Sequence, residues 1–254
     1  MRAASGTVTP PRAHGEQGRS DLWEDLKRQF VTDVEPVPLG SWQVELLRPR
    51  NSDDLISEAD FVRDDRLPYW ADLWPSARVL AEYVLGSPAA GPVGSARLLE
   101  LGCGLGLVTT AAMRAGYDVL ATDYYEDALR FTRANAGRAI GREPATRLVD
   151  WRSFPDDLGQ FDRVIAADVL YEHAYAPLIS RALAQVLTPD GAAVIADPGR
   201  VAAPAFLAGL EQDGLFVAAS EVRPFDSGPI HQQISLYTIS RLGRLPSGGV
   251  ASGG

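Results

Sequence analysis

The sequence predicts an α/β protein whose core is a doubly wound, mostly parallel sheet of seven strands with the last strand antiparallel. Three observations support this class. Short apolar runs alternate with segments of helical periodicity from residue 97 onward. Several of these runs end in an acidic residue, and the first leads into a glycine-rich stretch. The 254 residues are enough for one large α/β domain with appendages.

The most informative stretch is residues 97–123. The apolar run Leu98–Leu101 contains the acid Glu100. Three glycines follow at alternate positions: Gly102, Gly104 and Gly106. A helical pattern begins at Leu107, and a second apolar run ends at Asp123. Strand, glycine turn, helix and strand in this order form half of a Rossmann-like sheet, in which the ligand binds at the carboxyl ends of the strands.

This motif indicates a nucleoside cofactor. Glycines let the backbone approach a ligand closely, and the start of the helix leaves N–H donors free for an anionic group. Asp123 ends the next strand, where a carboxylate can accept both hydroxyls of a ribose. A dinucleotide and S-adenosylmethionine both fit. The dinucleotide fingerprint requires glycine at the position of Leu107, so we favour S-adenosylmethionine.

The N-terminal region is predicted to be an extension of the main domain. Residues 1–20 have no hydrophobic period and are expected to be disordered. A short helix is predicted from residue 21 to about residue 30. Two strand-like runs, Val34–Leu39 and Trp42–Leu47, predict a hairpin. We assign the helix and hairpin to an extension spanning residues 21–66.

Two tryptophans, Trp70 and Trp74, each lie beside a proline-marked bend and precede a predicted helix over Ala77–Leu85. Large aromatic side chains are usually part of a core. The indole N–H also suits a polar ligand that lies against the ring. The sequence leaves both interpretations open, and we assign Trp70 to the substrate side of a site.

Two later strands also end in chemically useful residues. Arg147–Val149 is followed by Asp150 and Trp151, an acid and an aromatic that could bind and stack on an adenine. The strand Phe161–Ala167 is followed at its end by the pair Asp168 and Tyr171. In the expected sheet order this strand lies beside the first strand. That position is the topological switch point, where reacting groups gather.

The last part of the chain completes the predicted sheet. Arg200 follows a strand end at Asp197 and could pair with Asp197 or with a substrate anion. The main domain is expected to span residues 67–240 and the flexible tail residues 241–254. The other expected elements are a helix over Ala176–Leu187, a turn over 188–191, a strand over Ala192–Ala196, a helix over Pro204–Leu210, and strands over Leu215–Val222 and Ile230–Ile239 joined by Pro224–Pro229.

Composition excludes several classes of function. The net charge of −9 argues against a nucleic-acid partner. Cys103 is the only cysteine, so no internal disulfide can form, and a packing thiol is expected there. The three histidines and one cysteine have no metal-ligand spacing. No apolar run is long enough to cross a bilayer, and we expect a cytoplasmic protein without a membrane partner.

The chain resembles the seven-β-strand, or class I, S-adenosylmethionine-dependent methyltransferases. Within them it resembles the protein-lysine methyltransferases with an acid-x-x-Tyr signature, most closely the electron-transfer-flavoprotein β-subunit lysine methyltransferase group and its bacterial relatives, some of them labelled nicotinamide methyltransferase-like. The resemblance spans about Leu67 to Ile239. It rests on Glu100 to Gly106, Asp123, Asp150-Trp151, Asp168 to Tyr171, Pro68-Tyr69-Trp70 with Trp74-Pro75, and Asp197 to Arg200.

The resemblance implies a role for each matching residue. The cofactor side would comprise Gly102, Gly104 and Gly106 at the methionine moiety, Asp123 at the ribose, Asp150 and Trp151 at the adenine, and Trp74, Glu100 and Asp168 near the cofactor. The substrate side would comprise Asp168 and Tyr171 as catalytic residues facing the incoming amine, together with Trp70 and Arg200.

The expected function is therefore N-methylation of a lysine side chain on a protein substrate, such as electron-transfer flavoprotein β-subunit or a ribosomal protein. One alternative is a small-molecule N-methyltransferase that acts on amines or on nicotinamide-like pyridines. A second is a cofactor-binding regulatory module without catalysis. An NAD-dependent oxidoreductase is disfavoured by Leu107 and by the lack of a matching second domain.

Overall fold

A computed structural model of the protein describes residues 21–55 and 67–243. The expectations of disorder over residues 1–20 and of a flexible tail after residue 243 lie outside these ranges. So does the part of the N-terminal extension from residue 56 to residue 66. No helix within the described ranges is long and apolar enough to cross a membrane.

The described chain alternates strands and helices. The strands are β1 (Thr32–Leu39), β2 (Trp42–Pro49), β3 (Arg97–Leu101), β4 (Asp118–Asp123), β5 (Ala145–Leu148), β6 (Phe161–Ala167), β7 (Leu187–Asp197), β8 (Phe216–Ser227) and β9 (Ile230–Ser240). The α-helices are α1 (Leu22–Gln29), α2 (Pro75–Leu85), α3 (Leu107–Arg114), α4 (Glu126–Ile140), α5 (Tyr175–Val186) and α6 (Ala203–Gly209).

The main sheet has seven strands in the order β5-β4-β3-β6-β7-β9-β8. Pairing is parallel from β5 through β7, and β9 pairs antiparallel with both β7 and β8. The direction of winding reverses between β3 and β6, which leaves a crevice at their carboxyl ends. The predicted fold class is confirmed, including the antiparallel last strand and the separate N-terminal hairpin of β1 and β2.

Two predicted connections differ from the structure. The expected turn over residues 188–191 lies inside β7, where it makes an irregularity in the pairing with β6 that shifts the register after Phe161. The expected loop from Pro224 is also wrong, because β8 continues to Ser227. Proline is tolerated there because β8 is the edge strand. On its open side no neighbouring strand needs the N–H donor that proline lacks.

Two apolar layers cover the sheet. One packs α2, α3 and α4, together with α1 and the hairpin, on one face. The other packs α5 and α6 on the opposite face. The residues of β3 and β6 alternate between these two clusters, as expected for strands buried on both faces.

The hairpin is fixed to the main domain through Asn135 of α4. The backbone N–H of Leu47 donates to the Asn135 side-chain oxygen at 2.8 Å, and the Asn135 amide donates to the Leu47 carbonyl at 3.0 Å. The same amide donates to the carbonyl of Leu105 in the glycine turn at 2.8 Å. Asn135 is fully buried, so these bonds satisfy groups that water cannot reach. Asn135 therefore links the extension to the glycine turn.

Gly106 lets α3 begin close to α4. Its φ of +79° is left-handed, and a Cβ at this position would lie 2.7 Å from the Cα of Thr132. Real Cβ atoms essentially never approach backbone this closely. Gly106 thus allows the close packing that, in the dinucleotide fingerprint, depends on a glycine one residue later.

We predict that G106A destabilises the fold more than G102A does. Both residues are left-handed, but a Cβ at Gly102 would meet side-chain atoms only at ordinary distances of 3.4 Å or more. The difference should be about 1–3 kcal/mol, the usual cost of overpacking, measured by urea denaturation of both variants. Equal losses of stability would show that α4 can yield around residue 132.

Candidate functional site

A cleft lies at the carboxyl ends of the central strands β3, β4 and β6, where the sheet reverses direction. The space within it, including open solvent at its mouth, is about 1190 Å³. The glycine turn after β3 forms one part of its wall. Residues of the segment from Leu67 to Ala77 also line it. The cleft therefore occupies the position that the sequence predicts for a ligand.

The glycine turn is held by backbone hydrogen bonds to the end of β4. The N–H groups of Gly102 and Cys103 both donate to the carbonyl of Thr122 at 2.9 Å. The turn leads into α3, whose first residues, Leu107 and Val108, line the cleft. The first N–H groups of a helix have no partner within it, so this edge offers donors to an anionic group.

Asp123 holds the turn and faces the cleft at the same time. One carboxylate oxygen accepts the N–H of Gly104 at 2.9 Å, and the other accepts the N–H of Tyr125 at 3.0 Å. Burial raises the pKa of the Asp123 carboxyl, and the backbone hydrogen bonds oppose this shift. The backbone of Tyr124 bonds to this carboxylate as well. The acceptor capacity that remains could bind the hydroxyls of a ribose.

Glu100 lies deeper, at the end of β3, and is nearly fully buried. Its carboxyl accepts a hydrogen bond from the hydroxyl of Thr109. Burial raises the pKa of Glu100 to about 8, with a smaller contribution from the charge of Asp123. Glu100 is therefore mostly protonated at neutral pH in the free protein. A cation bound in the cleft would favour its ionised form.

The two residues assigned to an adenine, Asp150 and Trp151, also line the cleft. Asp150 accepts hydrogen bonds from the guanidinium of Arg152, the shortest at 2.8 Å, so its carboxylate is already paired. Trp151 packs edge-to-face on Tyr175 with ring centroids 5.3 Å apart. A Cβ on Gly102 would lie 3.5 Å from the Trp151 ring, which places this ring beside the glycine turn.

Asp168 follows β6 at the switch point. It is 8% exposed and has a left-handed φ of +60°, the only such non-glycine residue in the described ranges. Strained backbone of this kind costs about 1–3 kcal/mol and persists where the surroundings hold it in place. Its oxygen Oδ1 accepts a hydrogen bond from Arg200, whereas Oδ2 is buried without a hydrogen-bond partner.

Arg200 pairs with Asp168 and not with Asp197, which corrects the sequence-based expectation. Its Nε donates to Asp168 Oδ1 at 2.5 Å. Asp197 instead accepts the backbone N–H of Arg200 at 2.8 Å and that of Gly199 at 2.7 Å. The reason is that Asp197 closes its own turn, which directs the Arg200 side chain across to the neighbouring strand end.

Aromatic rings form a continuous wall from Trp74 to Trp151. Tyr69 packs against Trp74 at 6.1 Å and against Tyr171 at 5.6 Å between ring centroids, in both cases edge-to-face. Tyr171 packs in the same way against Tyr175 at 5.0 Å. Sequence reasoning missed Tyr69 and Tyr175 as parts of the site. The only sequence feature that could have indicated them is that each is an aromatic residue close to Trp70 or Tyr171.

Trp70 lies beside the glycine turn. Its ring is buried and packs against Phe131 with centroids 5.5 Å apart. If Gly104 carried a Cβ, that atom would lie 3.1 Å from the backbone carbonyl oxygen of Trp70. A substrate role for Trp70 stays a prediction, while its position shows that it covers the glycine turn.

Cys103 also belongs to the glycine turn. Its thiol is buried and accepts a hydrogen bond from the hydroxyl of Thr132 at 3.2 Å. Burial raises the pKa of the Cys103 thiol well above its ordinary value. A neutral, packed thiol is not a nucleophile.

The charged residues that line the cleft are all acidic among the described residues, with no lysine, arginine or histidine. The six carboxyl groups are Asp72, Glu100, Asp123, Asp150, Asp168 and Glu172. Glu100 is mostly protonated, and Asp150 and Asp168 are paired with Arg152 and Arg200. Asp72, Asp123 and Glu172 then give the wall its negative charge, which repels a pyrophosphate and favours a cationic ligand. The described ranges contain no group of three His, Cys, Asp or Glu residues that could hold a metal ion.

Comparison with solved structures agrees with the observed sheet order. The magnesium protoporphyrin IX methyltransferase of Synechocystis, solved with bound S-adenosylmethionine, superposes with a TM-score of 0.52 at 19% sequence identity. The match covers 73% of this chain and 93% of that one. The fold is that of the class I S-adenosylmethionine-dependent methyltransferases.

Comparison with protein families is more specific. A family model described as lysine methyltransferase matches residues 68–212, more than half of the chain. The chain therefore belongs to the lysine methyltransferase family. The resemblance to the lysine methyltransferases, inferred from the glycine turn, Asp123 and the acid-x-x-Tyr signature, is confirmed.

Two relatives give the level of similarity. The protein-lysine methyltransferase METTL21E of Mus musculus is 32% identical over 116 residues, which covers 42% of this chain and 47% of that protein. The electron transfer flavoprotein beta subunit lysine methyltransferase of Xenopus laevis is 31% identical over 147 residues, covering 52% and 53%. The matched segment thus spans about half the length of these relatives.

We predict that E100Q flattens the dependence of stability on pH. Glu100 binds its proton more tightly folded than unfolded, so its contribution is fully present below pH 4.5 and is lost as pH rises towards about 8. Glutamine mimics the protonated form and does not titrate. The free energy of unfolding, measured by urea denaturation from pH 5 to 8.5, should fall less in E100Q, by an amount on the order of a few kcal/mol. Parallel pH profiles would contradict a protonated Glu100.

Proposed function

We propose that the chain binds S-adenosylmethionine in the cleft and transfers its methyl group to the side-chain amine of a lysine in a protein substrate. The observation that carries this proposal is the acidic, aromatic-walled cleft at the switch point of a lysine methyltransferase family member. A sulfonium cofactor and a protonated lysine both carry positive charge, which matches the acidic wall.

The residues present fit the cofactor. The start of α3 offers N–H donors for the methionine carboxylate, and Asp123 offers acceptors for the ribose hydroxyls. The Trp151 ring beside Gly102 provides a flat apolar surface for the adenine. Asp150 would act on the adenine only together with Arg152, its present partner.

The substrate side is built around Asp168 and Tyr171. Bound cofactor supplies a methyl carbon on a sulfonium, and the lone pair of a neutral amine displaces the thioether from that carbon. The remaining hydrogen-bonding capacity of Asp168, at Oδ2, could accept an N–H of the amine. Tyr171 would limit where the amine lies by packing, because its ring is held between Tyr69 and Tyr175. Acceleration would come mainly from positioning, for which effective molarities reach about 10⁵ M or more.

Both relatives are named as protein-lysine methyltransferases, and one is named for electron transfer flavoprotein beta subunit. Their names support a protein as the substrate of this chain. The open mouth of the cleft, beside the half-exposed Tyr69, is compatible with a lysine side chain entering from a folded surface.

We predict that D168A abolishes methyl transfer while the affinity for S-adenosylmethionine stays within a few-fold of the native value. The variant loses the acceptor for the amine but keeps the Asp123 contacts that hold the turn. The assay measures tritium transfer from labelled S-adenosylmethionine into a lysate of source-organism cells that lack this chain. Calorimetry measures the cofactor affinity. D226A is a matched control, because Asp226 is exposed on the β8–β9 hairpin and pairs with His231.

The outcomes separate the three candidate functions. Label on lysines of one or a few proteins, identified by mass spectrometry, supports the proposal. Label confined to small molecules would make the chain a small-molecule methyltransferase. Cofactor binding without any transfer would make it a regulatory module, and a fully active D168A would remove Asp168 from the mechanism.

We also predict that cofactor binding releases protons from Glu100. At pH 7 this group is mostly protonated in the free protein, and a cationic ligand favours its ionised form. Calorimetry at pH 7 in two buffers of different ionisation enthalpy should show more proton release for the native chain than for E100Q. Equal release from both would place the bound charge too far from Glu100 to affect it.

A further inference from the structure

Arg200 is held rigidly at the edge of the substrate side. Asp197, which is fully buried, accepts both N–H groups of the turn that follows β7 through one oxygen. Gly199 within this turn has a φ of +93°, which glycine adopts without strain. The backbone of Arg200 also bonds forward, because its carbonyl accepts the N–H of Ala203 at 3.1 Å. The turn therefore has little freedom to move.

The guanidinium of Arg200 contacts two residues that line the cleft, Asp168 and Trp74. Its Nε donates to Asp168, and its Cζ lies 5.1 Å from the centroid of the Trp74 ring. The indole is itself fixed, because its N–H donates to the carbonyl of Tyr69 at 2.9 Å. An arginine side chain is always charged in proteins, so a permanent positive charge lies beside the Asp168 carboxylate.

This charge bears on a conflict within the proposed reaction. Only the neutral form of a lysine attacks, and its ordinary pKa is about 10.4. An unpaired carboxylate beside the amine would favour the ammonium form and so oppose the reaction. Asp168 is needed to orient the amine, yet its full negative charge would hold the proton on it.

We propose that Arg200 is a positioning residue that fixes Asp168 and offsets its charge, so that a bound lysine gives up its proton near neutral pH. The inference rests on the proposed function. Arg200 occupies Oδ1 of Asp168 and leaves Oδ2 for one N–H of the amine. The ammonium proton leaves to water through the open mouth. The amine lone pair then forms the N–C bond as the C–S pair returns to sulfur.

The other titratable groups around the amine are common to the native chain and to any Arg200 variant. They include Asp197 beside the turn and the tyrosines of the aromatic wall. The remaining groups that line the cleft are Asp72, Glu100, Cys103, Asp123, Asp150 and Glu172. Asp197 is the exception, because the Arg200 charge opposes the raised pKa of its carboxyl. The other groups form a constant background, and R200K, which keeps the charge, controls for Asp197.

The test compares R200M, which keeps much of the side-chain volume without charge, with R200K, which keeps the charge. The probe is the protein band that the native enzyme labels with tritium in the lysate assay, followed from pH 6 to 10 and separated from the enzyme itself. We expect R200M to transfer methyl about 10-fold more slowly at pH 7, with the midpoint of its kcat–pH profile raised by about 1 unit. R200K should keep the native midpoint. KM should not rise in R200M, because the ammonium form binds the unpaired carboxylate well.

The contradicting results are distinct. A slow R200M with the native midpoint would show that Arg200 only holds the fold, and would overturn the inference while leaving the proposed function intact. Calorimetry with S-adenosylmethionine checks that R200M is folded. If R200M fails to bind the cofactor, the test rests on R200K. A raised midpoint of the R200K kcat–pH profile, despite the retained charge, would overturn the inference. Absence of any labelled band with the native chain would overturn the proposed function and this inference with it.

Discussion

The attachment of the glycine turn to Asp123 is the interaction on which the rest of the site depends. The carboxylate accepts one backbone N–H on each oxygen, from Gly104 and from Tyr125. Leaving such a buried donor unmet costs about 1–3 kcal/mol, so this residue fixes the turn. The same carboxylate faces the cleft. The group that shapes the backbone is therefore also the one that a ligand would meet, and neither role can be changed separately.

The fold was predictable because its signals are local. Apolar periodicity and the residues at strand ends defined the strands β3, β4 and β6, and the glycine turn fixed the position of the cleft. What failed depended on spatial neighbours. The sequence offers Asp197 or a substrate anion as the partner of Arg200, whereas the structure pairs Arg200 with Asp168 at the end of the adjacent strand. Pro224 suggested a loop because the sequence does not show that β8 is an edge strand.

The sequence predicts which residues form the candidate site better than it predicts how they are arranged. The positions of Glu100, Asp123, Asp168 and Tyr171 follow from sheet topology, and all four line the cleft. Their states do not follow from the sequence. The proton on Glu100 results from burial, which depends on how the layers close over β3. The hydrogen bonds from Asn135 to the hairpin likewise join segments far apart in the chain, so no periodicity could indicate them.

The edge strand β8 has a consequence for the behaviour of the chain at high concentration. An open row of backbone donors and acceptors is a template on which another molecule can extend the sheet. Pro224 removes one N–H donor from that row. The ion pair between Glu221 and Arg223 places two charged side chains on the same strand. Replacing the proline with a β-branched residue would restore an unbroken template. Pro224 thus disfavours polymerisation through edge-to-edge pairing of sheets, an effect separate from methyl transfer.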